Sequence, residues 1–279
     1  MSINKLQKRM MEELAEGDKN LQARLIKELD QTFAELEKRI RSPASIEELL
    51  TLTHPRPGRI GKLLIDHIES ILAAGQAHGD KLVEATLKEI APQKLADWQP
   101  SVIKLSPIVI NPTLFWLKPR EALRALLARE LLLADDMDAK LMAEAKKILV
   151  DNLEGVAKDE TFERMLRLFE GNVARAELVV VTETTYAYNR GRLVAFNSAG
   201  VDYIEFSAVM DLRTSNQCST RHGKIMRLDS PDLADNTPPL HGRCRSVLLP
   251  IFGAYQEDLL TEDALDWTEV VPIAESWKN

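Results

Sequence analysis

The hydrophobic period of this chain shifts from helical to strand-like at Gly200, and that shift limits what it can fold into. Before Gly200 apolar residues recur at three- and four-residue steps, the spacing that puts them on one face of a helix. After it they alternate, as in a strand with one face buried. In residues 2 to 41 the stripe is Leu6, Met10, Leu14, Leu21, Leu25, Leu29, Phe33, Leu36 and Ile40. It reads as one long helix or two stacked ones, with Gly17-Asp18 as the expected break. So narrow a stripe on a charged helix calls for a partner helix, in the same chain or in another copy.

Ser42-Pro43 ends that helix, and a short one is expected from Ser45 to Leu52. Helical period returns over Ile60 to Ile90, weakest between Gly75 and Gly79. Five prolines between 92 and 119 forbid a continuous helix there, so about 91–118 reads as a Pro-rich connector. Helices are then expected from Pro119 to about Ala134, Met137 to Glu154, Asp159 to Phe169 and Asn172 to Asn197. Gly155 and Gly171 stand at expected helix ends. In the last helix Glu183, Ala187, Arg190 and Val194 share one face, and Thr182, Thr185 and Asn189 form a neighbouring polar row. Strands are expected near 201–207, at Lys224–Leu228 and at Arg245–Leu249. The fold class is therefore α+β: a mainly helical region (1–118), then a module (119–252) in which a long helix packs on a small antiparallel sheet. Residues 253–279 carry seven acids from Gln256 onward against Lys278 alone, and read as a mobile or partner-binding acidic tail.

A net charge of −7 argues against a protein that coats nucleic acid, without excluding a local basic patch. Two cysteines in 279 residues are too few for a disulfide scaffold. The N-terminus lacks the apolar core of a signal peptide, and no run approaches a membrane span, so synthesis in the cytosol is expected.

Residues with chemistry concentrate between Asp211 and Pro250. Cys218, His222, His241 and Cys244 form C-x3-H…H-x2-C, a donor set with enough thiol and imidazole ligands for tetrahedral zinc. The same residues also suit packed structural thiols or a disulfide, or a Cys218 nucleophile activated by His241 or His222. Arg213, Arg221, Arg243 and Arg245 either hold loops through carboxylates such as Glu183 and Asp211 or face phosphate. Phosphate-loop, nucleophile-elbow and zinc-protease motifs do not occur, and a zinc deaminase would need H-x-E before P-C-x-x-C.

Thr182-Glu183, Ala187, Asn189 and Arg192, then Asp211, Arg213, Thr214 and Cys218, then Gly223, and finally Pro238-Pro239, His241, Cys244 and Arg245, form an ordered motif. It resembles the tailed-phage head morphogenesis domain typified by the Mu F protein, over about residues 120 to 250. The resemblance implies a minor capsid protein of low copy number in the virion or procapsid interior, made in the bacterial host cytoplasm. It implies association with the portal protein and with capsid or scaffold proteins, contact with packaged DNA, and support of head assembly or DNA delivery. It brings no catalytic residues. Self-association through the N-terminal helix is a further expectation. Relatives often end the motif C-R-C where this chain has Ser246, and place an apolar residue where it has His222. That makes His222 a doubtful ligand and leaves Cys218, His241 and Cys244 for zinc. Glu183, Asn189, Asp211 and Arg213 are expected to anchor the long helix to the sheet. The alternative is a particle-associated metal- or thiol-dependent hydrolase or nuclease centred on Cys218 and His241.

Overall fold

The computed structural model of the chain describes residues 3–41, 52–100, 138–151 and 158–273. The expected helices at Ser45 and Pro119, the connector beyond residue 100, Gly155 and the last six residues lie outside these. The described elements are α1 (Ile3–Arg41), α2 (Arg59–Ile90), α3 (Pro92–Leu95), a helical stretch at 138–151 called α4, and α5 (Lys158–Ser198). β1 (Tyr203–Ser207), α6 (Asn216–Ser219), β2 (Ile225–Arg227), β3 (Val247–Ile251) and α7 (Glu262–Leu265) follow. The fold is α+β and mostly helical, as the change of period at Gly200 implies.

Two expected breaks are absent. α1 runs through Gly17-Asp18, and α5 fuses the two helices expected on either side of Gly171. A helical glycine costs only about 1 kcal/mol against alanine, which the buried faces of such long helices outweigh.

The chain forms two compact units, to which α1, α2 and α5 all contribute. One unit (Gly17–His67 with Leu127–Val180) is built from helices. Its core takes Leu21, Leu25, Leu29 and Leu36 from α1, Ile60 and Leu64 from α2, Leu141, Ala145 and Leu149 from α4, and Met165, Phe169 and Val180 from α5. Phe33 joins it with ring centroids 4.8 Å from Phe169 and 5.8 Å from Phe162. The four leucines of α1 are 1–2% exposed in a single chain, covered by α2, α4 and α5. The partner of this amphipathic face is intramolecular.

The other unit (Met1–Glu16, Ile68–Leu126 and Val181–Asn279) holds the sheet. β1 is central in the order β2-β1-β3, with both pairings antiparallel; Ile204 lies opposite Met226 and Pro250, and Phe206 opposite Leu248. Ile204 and Phe206 point to one face, by the two-residue period, and are buried with Leu82, Val83 and Leu87 of α2 and Leu193 and Phe196 of α5. Residues Gly75 to Gly79, expected as a weak point, are where α2 meets α5. A Cβ on Gly75 would overlap the Tyr188 carbonyl, and one on Gly191 the Leu72 carbonyl. Glycine is needed here for backbone-to-backbone approach, not for a bend.

The acidic C-terminal segment is fastened as far as it is described, not trailing. Trp267 Nε1 donates to the Ile225 carbonyl at 2.8 Å, Lys224 pairs with Asp263 at 3.1 Å, buried Arg221 donates to the Val271 carbonyl at 2.8 Å, and Ile273 is buried. The acids from Glu257 to Glu269 are exposed, and of these Asp263 joins Trp267 and Ile273 in the attachment.

Candidate functional site

β3 is an edge strand, and an unpaired strand edge must be covered. α5 covers it with side chains. Thr182 Oγ1 accepts from the Arg243 amide at 3.1 Å, and Thr185 Oγ1 donates to the Cys244 carbonyl at 2.6 Å. Asn189 then reads the strand in both directions, donating to the Ser246 carbonyl at 3.1 Å and accepting from the Leu248 amide at 3.0 Å. Arg192 ends the row by donating to the Leu248 carbonyl at 2.8 Å. Steps of three, four and three residues keep these side chains in line on the helix, so their polar atoms take the place of a fourth strand. The polar row noted in the sequence is this ladder.

Arg192 is fully buried, and burial pushes its pKa down. It donates to Tyr188 Oη at 2.9 Å, and that hydroxyl lies 3.0 Å from His78 Nδ1, while His78 Nε2 lies 3.3 Å from Glu13. The chain of contacts assigns the Nε2–H tautomer to His78, whose pKa burial holds below the usual imidazole value.

The neighbouring face of α5 positions the loop before β3. Arg190 stacks on Tyr186, with its guanidinium carbon 3.5 Å from the ring centre, and donates to the Pro238 carbonyl at 2.9 Å. Pro238 and Pro239 are buried and joined by a cis bond. Beyond them the chain turns at His241–Cys244, with the Cys244 amide donating to the His241 carbonyl. Arg243 takes φ +58° in this turn. From the other side α6 delivers Cys218, whose amide is capped by Ser215 Oγ at 3.2 Å.

The result is a compact cluster. Cys218 Sγ lies 3.7 Å from Cys244 Sγ and 3.2 Å from His241 Nε2; the two cysteines are unbonded and buried. His241 Nδ1 meets the Gly242 carbonyl at 2.8 Å, which fixes the proton on Nδ1 and turns Nε2 to the sulfur. The hydrogen bond from Cys244, helped by His241, favours a Cys218 thiolate, so its pKa falls well below an ordinary thiol's; Cys244, sharing that bond, moves up. His241 moves up through its bond to Cys218. A cleft of about 20 Å³ reaches the cluster between Ser215, Ser246 and the arginines 213, 243 and 245.

Other expected site residues fall elsewhere. His222 is exposed, and its Nδ1 accepts from the Ala208 amide at 3.3 Å; it is not part of the cluster. Asp211 does not reach α5. It receives Arg245 in two bonds of 2.7 and 2.8 Å, which hold its carboxyl well below the usual carboxylate range. Arg213 is 80% exposed and 3.7 Å from Asp211. Glu183 is buried within α5. Thr182, Thr185, Asn189 and Arg192 bond the chain at 243–248 from α5. The two threonines were visible in the sequence as a row with Asn189, but hydroxyls on a helix carry no signal of what they will bind.

Residues 145–249 match the model of a family described as Phage Mu protein F like protein. The match starts later than the motif-based estimate of about 120 and ends with it. Neither a curated protein nor a solved structure matches the chain.

Proposed function

From this Mu F-like region, we propose that the protein is a minor component of a phage head and that it works by binding: to the portal, to capsid or scaffold, and within the particle. The match over 145–249 carries the reading, because it spans the ladder, the cluster and most of the sheet. The loop between β1 and α6 supports it. Val209, Met210 and Leu212 are 41, 56 and 107% exposed, so apolar side chains stand in solvent on this loop. Its backbone is nonetheless pinned. The Asp211 amide donates to Thr214 Oγ1, the Arg213 amide to Asp211, and Arg245 clamps the Asp211 carboxylate. An exposed apolar tip on a rigid base suits a protein interface, since little ordering entropy remains to be lost on docking.

The hydrolase reading draws on the contact between Cys218 and His241. Against it, the Cys218 thiol is 3% exposed and the cleft that reaches it is small, about 20 Å³. The geometry favours structural use of the cluster.

Complementation of a phage lacking the gene tests the interface. Leu212→Arg should leave the purified protein as stable as the parent and lower its incorporation into heads. Parental incorporation of that variant would remove the loop from the interface.

A further inference from the structure

Two short turns, each tied down independently, bring three soft ligand atoms to one point. α6 presents Cys218 from a capped helix start. The His241–Cys244 turn is held to α5 through the Arg243 amide and the Cys244 carbonyl. Cys218 Sγ, His241 Nε2 and Cys244 Sγ all lie within 4.8 Å of one another.

Those separations can be compared with what a metal demands. Sulfurs each about 2.3 Å from a tetrahedral zinc stand about 3.8 Å apart, and such a sulfur stands about 3.6 Å from an imidazole nitrogen. The two sulfurs here are 3.7 Å apart, so no movement of either cysteine is needed. Nε2 at 3.2 Å from Cys218 is slightly close, and a small swing of the half-buried ring opens it. Packing of two thiols as small hydrophobes accounts for the sulfur contact alone. The imidazole joins that contact, with its Nδ1 engaged by a backbone carbonyl and its Nε2 turned to the Cys218 sulfur. That arrangement is how a metal-binding histidine is oriented by its outer partner.

We propose that Cys218, His241 and Cys244 bind one zinc ion, with a water molecule from the adjoining cleft as fourth ligand. The cleft has the volume of a single water, and the hydroxyl-bearing residues Ser215 and Ser246 line it. Two thiolates offset the charge of a divalent ion, and thiolate with imidazole selects zinc over magnesium or calcium. The ion joins α6 to the chain entering β3 across the loop at 229–242. It clamps the β3 end of the ladder. His222 has no part in it. The site stands independently of any role in the phage head.

The test uses the full-length chain, expressed with zinc in the medium and purified under reducing conditions without chelator. Zinc by elemental mass spectrometry should come to about one ion per chain. Exchange for cobalt should give thiolate-to-cobalt charge-transfer absorption and the intense d–d bands of a tetrahedral centre. His222→Ala should keep the metal, and His241→Ala and Cys244→Ser should lose it. Should those two variants fail to fold, chelation of the parent chain replaces them: melting temperature should fall on zinc removal and recover on zinc addition. Metal-free parent protein, or a Cys218–Cys244 disulfide in the reduced preparation, overturns the proposal. So does zinc that survives in the Cys218→Ser/Cys244→Ser double variant, which marks an adventitious ion, and so does a melting temperature indifferent to chelation.

Discussion

The helical unit and the sheet-bearing unit are held together by different physics. In the first, leucines at helical steps on α1 meet apolar faces of α2, α4 and α5, and ionisable side chains pair beside that core, as Arg56 does with Glu28 at 2.8 Å and His54 with Asp138 at 3.6 Å. In the second, an apolar core lies beside fully buried polar groups, Asn189 and Arg192 among them, that satisfy strand backbone. Apolar packing tolerates exchange among residues of similar volume, whereas a buried polar ladder is intolerant, because each lost partner strands a desolvated group.

Several substitutions would break or sharpen that contrast. The largest effect is expected where α2 and α5 touch through glycine. Gly75→Leu should cost at least about 4 kcal/mol, read from chemical denaturation, because the Tyr188 backbone blocks its side chain. Asn189→Ala and Leu25→Ala should each cost about 3 kcal/mol, for opposite reasons: stranded backbone groups in one case and a cavity in the other. Hydrogen exchange separates them. Asn189→Ala should deprotect 244–248 first, and Leu25→Ala the helices of its own unit; the same pattern in both variants would erase the distinction.

A smaller effect is expected from pH. His78 is buried, and desolvation, reinforced by Lys81 and Arg192 against the opposing pull of Glu13, keeps its folded pKa below the unfolded value. The unfolded chain therefore binds the proton more readily. The stabilisation is present above the unfolded value of about 6.5 and is lost as pH falls through it toward the lower folded value. Denaturation midpoints should fall between pH 7 and pH 5, and fall less in His78→Gln. Arg213→Ala should sit at the bottom of the scale, within about 0.5 kcal/mol of the parent, since this exposed side chain makes only a solvated ion pair.

Much of the architecture was legible because period reports burial directly. The alternation of Ile204 and Phe206 gave the central strand, and the α1 stripe gave a buried helix face. Asn189 and Arg192 stood out through the motif, and the cluster of Cys218, His241 and Cys244 through its donor types. Other features depend on energies that local pattern does not contain. Glycine at 17 and 171 reads as an end until the packing of the whole helix is weighed against it. The fastening of the acidic segment rests on Trp267 and Ile273, two scattered anchors outvoted in composition by acids. Asp211 looked like an anchor for α5, yet Arg245 is its partner, which bears out the other expectation, that these arginines hold loops through carboxylates.

The most direct measurement of the proposed role is quantitative mass spectrometry of procapsids and mature particles purified from cells that carry the gene. The expected result is a reproducible ratio of up to a few copies per portal subunit, as for a minor head protein. Absence from both particles would contradict it.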